Sequence, residues 1–345
     1  MNPPASSFPP LYPLARFLPP EWLERFKNSQ EQPLFRGKQI LEWVYKKYIS
    51  NPQEMTNLPK TLKEKLQLIS STVHQIHQSP DGTEKLLIQL FDKRAVECVL
   101  IRHEERRTGC ISTQVGCPVA CVFCASGLNG VTRNLEVEEI VEQVLHLMAR
   151  NQGLDNLVVM GMGEPFLNYS NLLKALRIIN HPDGFHLGAR RITVSTSGVL
   201  AGIERLKQEP EQFHLAISLH SADETQRQEL VPHLRVSVTD LLNAAEDFQK
   251  NTGRRVTLEY VLLQGINDSL AHAKLLRDRI LHKKFLVNLI PMNPVPDLPY
   301  QAPSNSQTLA FQSILHQAGI NTKLRLQKGD AISAACGQLL RSHPS

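Results

Sequence analysis

Residues 110–124 read Cys110-Ile111-Ser112-Thr113-Gln114-Val115-Gly116-Cys117-Pro118-Val119-Ala120-Cys121-Val122-Phe123-Cys124. Three of the chain's six cysteines, Cys117, Cys121 and Cys124, fall in the last eight positions, at C-x3-C-x2-C spacing. Thiolates that dense in one loop can wrap a single inorganic centre. A closed structural zinc site takes four protein ligands, and the local count here is three. A 4Fe-4S cluster is bound through cysteine thiolates, and three of them leave one iron open to an incoming amino and carboxylate group. For the three cysteines alone, a zinc site is the alternative.

Around this loop lies an ordinary globular composition. The 345 residues, 41% hydrophobic and 21% charged, accommodate one large α/β domain and a smaller one. No apolar run reaches the roughly 18 residues of a membrane span, so no membrane partner is expected. The start, Met1-Asn2-Pro3-Pro4, lacks a charged region followed by an apolar one, so export is not expected. Six cysteines in a chain this long are no disulfide framework, and an oxygen-sensitive cluster suits a reducing cytoplasm. A net charge of +5 permits a nucleic-acid partner without specifying one.

Upstream, residues 1–20 hold seven prolines and read as an extended arm. Residues 21–102 read as an accessory unit of helices followed by strands. Ile40, Val44 and Tyr48 mark one helical stripe; Leu58, Leu62, Leu66 and Ile69 mark a second over 58–69. Arg36, Lys38, Lys46 and Lys47 form either an RNA-contacting face or a solvated one. Residues 85–90, 95–101 and 108–113 read as short antiparallel strands, with Pro80-Asp81-Gly82 as a turn. Glu97 interrupts the second of them, so it lies either on a solvated face or in a site. From 103 to the end, strands near 156–160, 191–194, 213–218, 256–262, 285–290 and 322–326 alternate with helices. That alternation is the pattern of a parallel α/β sheet with right-handed crossovers.

The loop, with Phe123 at its aromatic position, resembles the signature of the radical S-adenosylmethionine (SAM) superfamily. Gln114-Val115-Gly116-Cys117 and Arg133-Asn134-Leu135 resemble one branch, the RlmN/Cfr RNA adenosine methyltransferases. The likeness extends over residues 35–340. It implies a partial (β/α)6 TIM-like barrel with a small N-terminal helical domain and a β linker. It implies a 4Fe-4S cluster on Cys117, Cys121 and Cys124, and SAM on the open iron. Ligands of such sheets bind at strand carboxyl ends, where four motifs fall. Gly163 and Glu164 of Met160-Gly161-Met162-Gly163-Glu164-Pro165 are expected at the methionine end of SAM. Ser195 is expected near its carboxylate or ribose. Ser218, Leu219 and His220 also belong to the SAM site, and Asn293 is expected at its adenine or ribose.

The resemblance also implies the chemistry. Cys336, in Ala334-Ala335-Cys336-Gly337-Gln338-Leu339, matches the methyl-carrying cysteine, Cys110 its disulfide partner, and Glu97 the proton acceptor. Cys98 matches no functional position and is assigned to packing. The expected activity is methylation of adenosine carbon 2 in 23S rRNA, and of a tRNA anticodon-loop adenosine. The electron donor would be a flavodoxin or ferredoxin, and no DNA partner is expected. Alternatives are the Cfr-type carbon-8 activity and a non-catalytic RNA-binding paralogue. The chain departs from the family at His233-Leu234-Arg235-Val236-Ser237, at Ala331 and at Val131, which bear on RNA grip.

Overall fold

The computed structural model describes residues 13–30, 33–295, 298–325, 329, 332–335 and 337–339. Residues 1–12 of the expected extended arm lie outside the described residues, and over 13–20 the chain departs from it. Leu14–Arg16 form a 3-10 turn, and Pro19 and Pro20 open helix α1 (Pro19–Gln30). A first helical turn has no use for the amide hydrogen that proline lacks, so prolines are accommodated there. Trp22 and Phe26 of α1 stack at 5.2 Å and are fully buried beside α2 (Leu34–Tyr45). The α2 stripe ends on Tyr45; Tyr48 lies past the helix at a positive φ of 59°.

The helix expected over 58–69 shrinks to α3 (Lys60–Lys63). The backbone groups that would continue it are spent elsewhere. Leu68 O accepts the Leu14 N–H at 2.9 Å, and the Ser70 and Ser71 N–H groups donate to Glu142 at 2.9 and 2.8 Å. A backbone donor committed to a distant acceptor is lost to a helix.

Strands β1 (Thr72–Gln78), β2 (Glu84–Gln89), β3 (Ala95–His103) and β4 (Arg106–Cys110) form an antiparallel meander. Asp81 Oδ1 accepts the Thr83 N–H at 2.9 Å and closes the first turn where Pro80-Asp81-Gly82 was expected to make one. β4 then pairs in parallel with β7 (Asn156–Val159), so the linker strands and the core share one sheet. Parallel pairing continues through β8 (Ile192–Thr196), β9 (His214–Ser218), β10 (Val256–Leu262), β11 (Leu286–Pro291) and β12 (Thr322–Leu324). Strands β7 to β12 are the six of the expected partial barrel, and β4, expected as an antiparallel linker strand, extends the parallel set by one.

The crossovers include α4 (Val137–Asn151), α5 (Tyr169–Asn180), α8 (Val238–Thr252), α9 (Leu270–Ile280) and α10 (Asn305–Gln317), as the periodicity indicates. Helices α6 (Leu200–Gln208) and α7 (Glu224–Leu230) were not foreseen; both are short, and apolar periodicity has little length to register in them. A small hairpin of β5 (Gln114–Gly116) and β6 (Val131–Asn134) flanks the cysteine loop.

α4 joins the N-terminal helices to the barrel. Its start carries a capping box between Glu136 and Glu139. Arg16 pairs with Glu138, and Glu142 takes four donors from Ser70 and Ser71. Lys46 Nζ donates to the carbonyls of Pro182 and Gly184 at 2.6 and 2.7 Å. That basic residue is therefore a clamp between regions as well as part of a charged face. Among the described residues, no helix is long and apolar enough to cross a membrane.

Candidate active site

The loop bearing the cysteines is bent by two residues in the left-handed region, Gly116 at φ 81° and Ala120 at φ 52°. At position 116 a Cβ would sit 2.0 Å from the Gly130 carbonyl oxygen, so the hairpin closes only on glycine. Cys117, Cys121 and Cys124 line a cavity of about 140 Å³ at the carboxyl ends of the barrel strands. Gly163, Glu164, Ser195, Ser218, His220 and Asn293 line it too, as does Cys110. The sequence-predicted residues of five separate segments thus meet in one place.

Gln114 holds three of the quoted motifs together. Its Nε2 donates to Asn134 Oδ1 at 2.8 Å, and its Oε1 accepts the Glu164 N–H at 2.7 Å. Gly163, at φ 102°, passes so close that a Cβ would lie 2.6 Å from Gln114 Cβ. Glu164 is 1% exposed. Its carboxylate accepts from Thr196 Oγ1 at 2.8 Å, Ser197 N at 2.7 Å and Phe166 N at 3.1 Å. Burial raises its pKa, with the Ser197 amide and Thr196 hydroxyl opposing the rise. Ser112 ties this wall to β3: its Oγ donates to Glu97 O at 2.7 Å and accepts the Met162 N–H at 2.9 Å.

His220 sits at φ 58° with its ring edge-on to Phe123, centroids 4.8 Å apart. Its Nδ1 accepts the Val261 N–H at 3.1 Å, which assigns the ring proton to Nε2. Burial, with the Arg227 charge adding to it, pushes its pKa down to about 3, so the ring is a neutral donor. Leu219 differs: its side chain is buried in the core, and its N–H goes to Glu259 O at 3.0 Å.

Glu97 is not among the residues that line the cavity, as its strand neighbour Ile101 is. It lies beside the cavity on a lip formed by β2 and β3, paired with Lys85 at 2.9 Å, both buried. The C-terminal segment folds over this lip and the cysteine loop. Gly329 N donates to Asp81 Oδ2 at 2.8 Å, Ala125 N to Gly337 O at 2.8 Å, and Ser126 Oγ to Leu339 O at 2.7 Å. Ala335 and Gly337 line the cavity. Cys336, between them in sequence, lies outside the described residues.

The donor set fits a cluster. Among the described residues no three His, Cys, Asp or Glu side chains converge on a point that would hold a single ion. Burial pushes the Cys117 thiol up to about 12 and raises those of Cys121 and Cys124. Such thiols become thiolates when a metal centre takes their place as the positive partner. Three cysteine thiols lining one cavity wall are the donor set that a cluster takes.

Glu259 was not foreseen. It lies in β10, 5% exposed, lining the cavity, with Oε1 bonded to Asn288 at 3.0 Å. Its signal was the one that singled out Glu97, an acid in an apolar strand. Met160, Thr196, Ser197 and Arg325 also line the cavity without having been named for it.

Comparisons with known proteins give the family. The radical SAM superfamily pattern matches residues 111–276, and the N-terminal domain of ribosomal RNA large subunit methyltransferases matches 18–71. A protein of Rhodopirellula baltica described as "Probable dual-specificity RNA methyltransferase RlmN" is 43% identical over 93% of this chain and 88% of its own. One so described from Thermotoga sp. strain RQ2 is 45% identical over 88% of this chain and 91% of its own. The crystal structure of a radical SAM methyltransferase from Sphaerobacter thermophilus superposes with a TM-score of 0.92 at 42% identity, covering 95% of this chain and 98% of the other. Cavity, fold and relatives together define a radical SAM enzyme that methylates RNA. The chain belongs to the RlmN family, whose cofactors are a 4Fe-4S cluster and SAM.

Proposed function

We propose that the enzyme methylates carbon 2 of an adenosine in 23S rRNA, and of a tRNA anticodon-loop adenosine, through a methyl-cysteine and a transient disulfide. The observation that carries the reading is the placement of Cys110. It is buried in β4, lines the same cavity as the three cluster cysteines, and faces the segment whose Ala335 and Gly337 bracket Cys336 in sequence. A resolving thiol has a use there that a packing cysteine such as Cys98, wholly enclosed in the core, does not.

Cys117, Cys121 and Cys124 would hold the cluster, which supplies one-electron cleavage of SAM to a 5′-deoxyadenosyl radical. Gly163 offers backbone approach and Glu164 a carboxylate at the methionine end of SAM; Ser195, Ser218, His220 and Asn293 supply polar groups along the rest. The Cys336 thiolate accepts a methyl group from one SAM by displacement. After hydrogen abstraction from it, that carbon joins the adenine ring, and the one excess electron of the adduct would return to the cluster. Glu97 takes the ring proton. Cys110 attacks the Cys336 sulfur, the carbon–sulfur bond breaks, and the methylated base leaves a disulfide behind. Residues 21–102 form the accessory RNA-contacting unit and 103–345 the catalytic core. A flavodoxin or ferredoxin returns electrons in a reducing cytoplasm.

Anaerobic incubation with SAM, reductant and an rRNA fragment tests this by nucleoside mass spectrometry. Wild type is expected to give 2-methyladenosine, and Cys110→Ala a covalent protein–RNA adduct. An 8-methyladenosine product would transfer the enzyme to the Cfr-type reaction.

A further inference from the structure

A lysine inside a sheet is costly unless its charge is met. Lys85 is such a residue: it lies in β2, between Glu84 and Leu86, and is 8% exposed. In register it stands opposite Val99 of β3, and Val99 stands opposite Cys110 of β4. Lys85, Val99 and Cys110 therefore form one row across three strands and point to one face. Glu97 is in the next row of that face, opposite Leu87, which makes it the diagonal neighbour of Lys85. The lysine spends its ammonium on two groups. One is Glu97 Oε1 at 2.9 Å; the other is the carbonyl of Ser333 at 3.2 Å, in the C-terminal segment. Ser333 is itself in the left-handed region, at φ 50°, three residues before Cys336.

We propose that Lys85 is a positioning residue that sets the Glu97 carboxylate and the Cys336-bearing segment in register for the second half of the reaction, proton removal and release. The proposal rests on the roles given above to Glu97, Cys110 and Cys336. An ammonium has three donors on one nitrogen, so a single group can fix a side chain and a distant backbone carbonyl together. Addition of the carbon radical leaves one unpaired electron on the ring adduct, which the oxidised cluster on Cys117, Cys121 and Cys124 would take back. In the proton-removal step a ring C–H bond then breaks, its proton goes to the Glu97 carboxylate, and the electron pair stays with the ring. Lys85 keeps its own protons throughout. In the release step the Cys110 sulfur bonds to the Cys336 sulfur, and the carbon that leaves Cys336 keeps the electron pair and takes a proton. Both steps need the acceptor, the two sulfurs and the ring placed within hydrogen-bond or contact reach. Cleavage of SAM draws on the barrel wall, with which Lys85 has no hydrogen bond or ion pair among the described residues. Methyl transfer to Cys336 involves the segment that Lys85 holds and is read separately. The pair thus divides the reaction at the point where RNA is covalently attached.

The full-length, cluster-reconstituted Lys85→Met enzyme separates this from a merely structural role. Four quantities are read: 5′-deoxyadenosine, methylated Cys336 by peptide mass spectrometry, methylated RNA by nucleoside mass spectrometry, and protein–RNA adduct on a denaturing gel. Expected are first-turnover 5′-deoxyadenosine within about twofold of wild type, methylated RNA release slowed about 100-fold, in the range of general-base contributions, and an adduct that accumulates although Cys110 is present. Lys85→Arg, which keeps the cation, is expected to restore most release. Release at the wild-type rate without adduct overturns the proposal. So does a folded Lys85→Met enzyme that has lost SAM cleavage along with release. If Lys85→Met does not fold, Lys85→Gln, which keeps a donor for Ser333, is read by the same criteria. Cys110→Ala run in parallel distinguishes the two levels. An adduct there but none with Lys85→Met defeats the role of Lys85; no adduct in either defeats the disulfide chemistry itself.

Discussion

The barrel wall and the lip enclose one cavity by different means. On the wall, polar groups stand at the ends of adjacent parallel strands and meet within short stretches of chain. Glu164 reaches Thr196 and Ser197, 32 and 33 residues on. On the lip, Lys85 meets Ser333 and Asp81 meets Gly329 across 248 residues, and Ser126 meets Leu339 across 213. A strand-end motif carries most of its geometry with it. A closure made by bonds between the two halves of the chain exists once both have folded, and it can open without unfolding either. On the proposed chemistry the wall handles SAM and the lip handles RNA. Each region can therefore be broken separately.

The largest effect is expected on the wall. Cys121→Ala removes one of the three thiols assigned to the cluster. Iron content and the cluster's visible absorbance should fall to background, and 5′-deoxyadenosine with them, while circular dichroism stays that of the wild type. A variant that still cleaves SAM would break the comparison, because the cysteine loop would then not be the cofactor's anchor. Next comes Glu164→Gln. The change puts an amide where the Thr196 hydroxyl and Ser197 N–H both donate. Bonds to a charged acceptor contribute about 1.5–3 kcal/mol, so SAM affinity should fall about 10- to 100-fold. Isothermal titration with SAM reads the loss, and RNA binding by gel shift should be unchanged. Equal losses in both would mean that wall and lip are not separable.

The same contrast explains what was legible in the sequence. Cys117, Cys121 and Cys124, the glycines before Glu164, and the polar ends of β8, β9 and β11 were all visible. Each is a local departure from an apolar strand, at a spacing that chemistry requires. Gln114 was quoted as part of a motif, yet its bonds to Asn134 and Glu164 emerge in the folded chain. Lys85 gave no signal, because a lysine in a short strand reads as solvated, and its partners lie 12 and 248 residues away. Glu259 was missed although Glu97 was noticed for the same reason. The helix expected over 58–69 gave way where tertiary partners took its backbone groups: Leu14 N–H donates to Leu68 O, and the Ser70 and Ser71 N–H groups donate to the Glu142 carboxylate. Sequence pattern carries which faces are apolar; it does not carry which backbone groups are claimed from afar.

The smallest expected effect is on the lip, and it follows from Asp81. Burial works against its charge. The N–H groups of Gly329 and Thr83 outweigh that and hold its pKa at about 2, below the ordinary carboxylate range. A folded pKa below the unfolded value of about 3.9 stabilises the closed segment above that pH. The contribution is lost as pH falls through about 2. The group is largely open to solvent, so the effect is modest and screened by salt. Hydrogen exchange at the Gly329 amide, measured on wild type and Asp81→Asn at pH 6, should show faster exchange in the variant by about threefold to tenfold, the equivalent of one lost hydrogen bond. Barrel amides such as Val194 should be unmoved. If Asp81→Asn speeds exchange across β8 and β9 equally, the lip is part of one cooperative unit with the wall. If it speeds only the residues around 329–339, the lip opens by itself, as a closure made of a few long-range bonds should.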